Sequence, residues 1–209
     1  MRAFIYDIEI VKAIPERNGE NDLDVEYCAG WQDHANMGIS VCGGFEYDSG
    51  RYRVFCTDNL HQFADAVERA DIIVGFNNIP FDNAVIRATW QPLVKLPENW
   101  EAKSYDLLRE IWVAAGLGPE FNFKTHGGFG LDAMCEKNFG TKKSGNGALA
   151  PKMWQRGQIG NVIDYCLNDV ALTKQLFDKV LADGTLQNPN GGVLTMRKLD
   201  MKRETPCEH

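Results

Sequence analysis

The chain has 209 residues, 44% of them apolar and 24% charged, with a net charge of −7. That length suits one domain with a sizeable core, and no apolar run approaches the roughly 20 residues that a membrane span needs. The acidic balance argues against a broad basic footprint for nucleic acid, though not against an enzyme that grips only a few phosphates.

Residues 3–10 read Ala-Phe-Ile-Tyr-Asp-Ile-Glu-Ile, an apolar run of strand length interrupted by two acids. Strand side chains alternate between faces, so Asp7 and Glu9 emerge side by side. Two adjacent carboxylates repel and are costly to bury unless a cation or a shared proton compensates, which points to a divalent metal. A second Asp-x-Glu, Asp24-Val25-Glu26, lies among Asn18, Gly19, Asn21 and Asp22 and reads as solvated loop. The whole of residues 11–36 lacks a clean period and reads as a surface insertion, with a short ordered piece at 26–31.

Residues 37–47 and 51–56 read as a hairpin around the turn Asp48-Ser49-Gly50. Thr57 or Asp58 can cap a helix to about residue 70, carrying Leu60, Phe63, Ala64 and Val67 at helical spacing. A short buried strand at 71–76 leads through the turn 77–80 into a helix at about 81–90. Another strand is expected at 104–107, passing into a helix that ends near 115. Residues 116–130 are loop-like, 131–138 helical, and 140–147 polar and glycine-rich. The longest helical pattern covers 160–181. Gly184 to Gly192 ends it, opening a short C-terminal tail whose last 17 residues are expected to be a short strand or loose. The order predicts one α/β domain over residues 1–209: an antiparallel meander, then parallel strands, in a mixed sheet flanked by helices.

The six cysteines contain no Cys-x-x-Cys pair, so buried thiols are expected rather than a zinc site or a disulfide framework. The N-terminus lacks the pattern of a secretory signal, and a soluble, cytoplasmic protein without a membrane partner is expected.

Two further segments carry acids in suggestive places. Gly75 to Asp82 follows a strand and opens a helix, where ligands often gather in open α/β sheets; Asp82 is equally suited to a helix first turn. Tyr165 and Asp169 stand four residues apart and share a helix face, as a site pair or as an exposed surface pair. Asp106, at another strand end, reads as structural rather than as a further ligand. Lys142, Lys143, Lys152 and Arg156 form the nearest basic cluster, read first as solvated loop and second as a phosphate contact.

Taken together, Asp7-Ile8-Glu9, Asn77 to Asp82 and Tyr165 to Asp169 resemble the three motifs of the DEDD superfamily of 3′–5′ exonucleases. Leu131-Asp132-Ala133, followed by Gly140 and Lys142-Lys143, is similar to the segment between the second and third motifs. The tyrosine marks the tyrosine subtype, as in the proofreading domains of family B DNA polymerases, on a ribonuclease-H-like fold. The resemblance covers residues 1–10 and 37–182. It implies a free-standing enzyme that hydrolyses phosphodiester bonds of single-stranded DNA, with two Mg²⁺ or Mn²⁺ held by Asp7, Glu9, Asp82 and Asp169. It further implies that Tyr165 orients the attacking water, and that Asn77, Phe81 and Lys143 lie near the substrate. RNA as substrate, or an accessory subunit working with a separate polymerase or replication partner, are the alternatives.

Overall fold

Apolar side chains occupy both faces of residues 3–10, and the chain builds a core on each side of them. The structure, a computed structural model, describes residues 2–16, 21–141 and 147–199. Strand β1 (Ala3–Ile10) is central. Phe4, Tyr6, Ile8 and Ile10 enter one core, and Ala3 and Ile5 enter the other. By alternation Asp7 and Glu9 share the Ala3–Ile5 face.

β2 (Ile39–Glu46) pairs antiparallel with β1 and sets Asp7 opposite Gly43 and Glu9 opposite Val41. β3 (Arg51–Phe55) is antiparallel to β2. On the other side of β1, β4 (Ile72–Gly75) and β5 (Ser104–Asp106) run parallel, which gives the order β3-β2-β1-β4-β5. The predicted mixed α/β sheet, antiparallel first and parallel after, is the one observed.

The helices are α1 (His34–Met37), α2 (Leu60–Arg69), α3 (Asp82–Thr89), α4 (Leu107–Ala114), α5 (Leu131–Phe139), α6 (Ala150–Gln155) and α7 (Ile159–Asp183). Leu60, Phe63 and Val67 of α2 and Val85 and Ile86 of α3 pack under Phe4, Tyr6 and Ile8. On the opposite face Leu107 and Ile111 of α4, Met134 of α5, and Val170, Leu176 and Phe177 of α7 meet Ala3 and Ile5. Each such side chain contributes about 1.5–3 kcal/mol of burial, so the two layers together hold the acid-bearing strand rigid. Among the described residues no helix is long and apolar enough to cross a membrane.

Three expectations need correction. Of the two readings of the C-terminal segment the short strand is the one observed, as β7 (Val193–Thr195), but it pairs with an unexpected strand β6 (Thr185–Gln187), and Leu186 and Leu194 of this hairpin complete the α7 core. Residues 150–155 are the helix α6 rather than solvated loop, with Pro151 in its first turn, where a missing N–H costs nothing. The insertion is also no simple surface excursion. Ala13 and Tyr27 form a parallel bridge, and Ala13, Val25 and Cys28 are buried. Gln155 of α6 fastens it, donating to the Val11 and Glu26 carbonyls at 2.8 and 3.0 Å and accepting from the Glu26 N–H at 2.7 Å.

Candidate active site

The odd-numbered face of β1 is where the sheet meets α7. Gly43 makes that contact close: a Cβ there would lie 3.1 Å from the Cys166 sulfur and 3.2 Å from Val170. The Gly43 N–H donates to the Cys166 Sγ at 3.1 Å, and the thiol donates to the Asp7 carbonyl at 3.4 Å. Its sulfur also stands 3.8 Å from Asp7 Oδ2. Burial first, then the Asp7 and Glu9 carboxylates, hold the Cys166 thiol well above its usual pKa, so it stays protonated. Asp7, Glu9 and Cys166 bring their donor atoms within 4.8 Å of one another, the tightest grouping of this kind among the described residues.

Asp82 arrives from the far side of β1. Pairing of β1 with β4 covers only Ala3 to Ile5, which leaves later β1 backbone without a strand partner there. Asp82 Oδ1 takes over and accepts the Ile8 N–H at 3.2 Å. The acid is therefore more than a first-turn residue of α3. The turn before it is made by Gly75, where a Cβ would fall 2.5 Å from that of Asn78, and by Asn77 in the left-handed region at φ 69°. Asp106 holds this turn from below. It accepts the N–H groups of Asn77 (2.9 Å), Ile79 (3.1 Å), Leu108 (3.0 Å) and Arg109 (3.3 Å), so its expected structural role is the one observed.

Tyr165 and Asp169 are both buried on the inward face of α7, which removes the reading of an exposed surface pair. Asp7, Glu9, Asp82, Tyr165 and Asp169 all line one cleft of about 600 Å³, together with Asn77 and Phe81. Asp82 and Asp169 do so without joining the 4.8 Å grouping of Asp7, Glu9 and Cys166. Lys142 and Lys143 lie outside the described residues. Lys152 and Arg156 do not line the cleft: Lys152 pairs with Asp22 at 3.2 Å, and Arg156 pairs with Asp22 and Asp24 at 2.9 Å. The second Asp-x-Glu is thus a docking point for α6.

The sequence reading missed Trp31, Ile14 and Pro15, which wall the cleft from the insertion, and Gly147 and Pro151, which wall it from the other side. The proline in the first turn of α6 was a usable signal; Trp31 sits in a segment with no period to read. Cys166 had a signal, since it stands three residues before Asp169 on the same helix face.

Compared with known proteins, the chain matches no family model and no curated protein. The reading of the cleft rests on its own residues.

Burial pushes the Asp82 carboxyl up to about 8; its own N–H and that of Ile8 oppose the rise, and the nearby Asp106 carboxylate adds to it. An unfolded aspartate titrates near 3.9. Between roughly pH 4 and 8 the folded chain therefore keeps a proton that the unfolded chain has lost. Stability without metal should be greatest at the acid end of that window and fall as pH rises toward 8. Melting curves in EDTA check this, and Asp82→Asn should flatten the dependence. A wild-type melting temperature that climbs steadily across the window would show that Asp82 is charged and stabilised in the fold.

Proposed function

We propose that this chain is a metal-dependent 3′–5′ exonuclease of the DEDD tyrosine type, removing nucleotides from the end of single-stranded DNA. One observation carries the reading. Four carboxylates and a tyrosine from β1, α3 and α7, drawn from residues 7 to 169, open on a single cleft beside Asn77 and Phe81. The strand order β3-β2-β1-β4-β5, antiparallel on one side of β1 and parallel on the other, supports a ribonuclease-H-like fold.

The donor set fits hard divalent cations. Its carboxylates are oxygen ligands, three of the four are buried, and burial already makes Asp82 reluctant to carry its charge alone. Asp7, Glu9, Asp82 and Asp169 would hold two Mg²⁺ or Mn²⁺. When bound, such ions supply Lewis-acid stabilisation of charge on the attacking and leaving oxygens of a phosphodiester. The protonated Cys166 thiol holds the Asp7 backbone and so positions its carboxylate. Tyr165 offers a donor and an acceptor on one oxygen, which suits it to orient a water beside the scissile phosphate. Asn77 and Phe81 line the same cleft, where an amide and an apolar ring suit contacts to the terminal nucleotide.

The test is digestion of 5′-labelled single-stranded DNA and RNA of one sequence in Mg²⁺, Mn²⁺ or EDTA. A ladder shortening from the 3′ end, faster on DNA and lost in EDTA, is expected. Release of the label as a mononucleotide at the outset, or digestion that survives EDTA, would reject the reading. A faster RNA ladder would keep the chemistry and change the substrate.

A further inference from the structure

We propose that Trp31 is a stacking platform for the terminal nucleobase, a role that rests on the nuclease reading of the same cleft. Trp31 belongs to none of the three motif segments. The residue is 66% exposed, an unusual state for a tryptophan, yet it lines the cleft beside the carboxylates. Its ring stands 5.9 Å from that of Phe81 at 62°, so two aromatic side chains from distant segments border the same space.

The turn that carries Trp31 is pinned. Asp33 accepts the Ala29 N–H at 2.7 Å and the Asn36 side-chain amide at 2.7 Å, and its own N–H donates to the Gly30 carbonyl at 3.0 Å. These bonds fix the backbone that carries Trp31, so less ordering of the turn has to accompany stacking on its ring. The cleft, at about 600 Å³, has the size of a nucleotide site rather than of a duplex channel. Lys152 and Arg156 are paired with Asp22 and Asp24 and do not line the cleft. Base–aromatic stacking on Trp31 is a source of affinity at this rim that needs no cation, and it tolerates any base because every base has a flat face.

Binding of thymidine 5′-monophosphate to the full chain in Mg²⁺ tests the proposal, with 2-deoxyribose 5-phosphate as the base-free control. Calorimetry should show Trp31→Ala binding the nucleotide roughly 5- to 150-fold more weakly than wild type. Trp31→Phe should stay close to wild type, and the sugar phosphate should bind all three proteins alike. Nucleotide should quench tryptophan fluorescence in wild type, and Trp31→Phe should lose that response while keeping the affinity. Equal nucleotide affinity in wild type and Trp31→Ala, or an equal loss for the base-free control, overturns the stacking role. Failure of the nuclease reading has a different signature: wild type binds the nucleotide through Trp31 and hydrolyses no oligonucleotide.

Discussion

Asp7→Asn should lower phosphodiester hydrolysis by at least about 10²–10³-fold while leaving the fold intact. The substitution keeps the side-chain shape, and the Cys166 contact to the Asp7 carbonyl is a backbone contact that survives it. The residue is only half-buried, so its charge is not needed for packing. What is lost is one of two same-face acids on β1, the pair whose donor atoms converge within 4.8 Å with the thiol. Metal affinity should fall with activity, measured by calorimetric titration of Mn²⁺ into wild type and variant. Hydrolysis near the wild-type rate with unchanged Mn²⁺ binding would remove Asp7 from the site and with it the two-metal reading. A loss of activity accompanied by a large fall in melting temperature would assign Asp7 to the fold instead.

The second large effect is expected on stability. Asp106→Ala should cost about 3–5 kcal/mol, because four N–H groups around one buried carboxylate lose their acceptor together. For a chain of this size that corresponds to a fall of roughly 10 °C in melting temperature. Asp106→Asn should cost less. One oxygen of Asp106 accepts from Asn77, Leu108 and Arg109 and is preserved, while the other, which serves Ile79, becomes an amide nitrogen facing a donor. Because the Asn77–Ile79 turn leads directly into Asp82, activity should fall with stability even though Asp106 does not line the cleft. A melting temperature within about 2 °C of wild type for Asp106→Ala would show that the turn holds itself.

Asp106 also shows how site and scaffold divide the acids of this chain. Asp82 and Asp106 are both buried and both raised by burial, but their partners differ. Asp106 is surrounded by backbone donors that use its oxygens. Asp82 accepts a single N–H from β1 and remains at the edge of a cleft. The first arrangement serves only the fold, and the second leaves an oxygen edge for a ligand.

The amino-acid sequence by itself determined the parts governed by short periods. Alternation along β1 set Asp7 and Glu9 on one face, and the four-residue spacing of α7 set Tyr165 beside Asp169. The order of strands and helices was legible for the same reason, since hydrophobic period and turn residues act over a few neighbours. Only the tertiary structure decided what those faces meet. Cys166 abuts Asp7 across 159 positions of chain, Arg156 pairs with Asp24 across 132, and β7 fills the core behind α7. The insertion illustrates the limit most clearly. Its loop-like composition is real, yet Gln155 and Arg156 draw it against α6 through side-chain bonds, and Trp31 meets Phe81 at the cleft, contacts that no local pattern encodes.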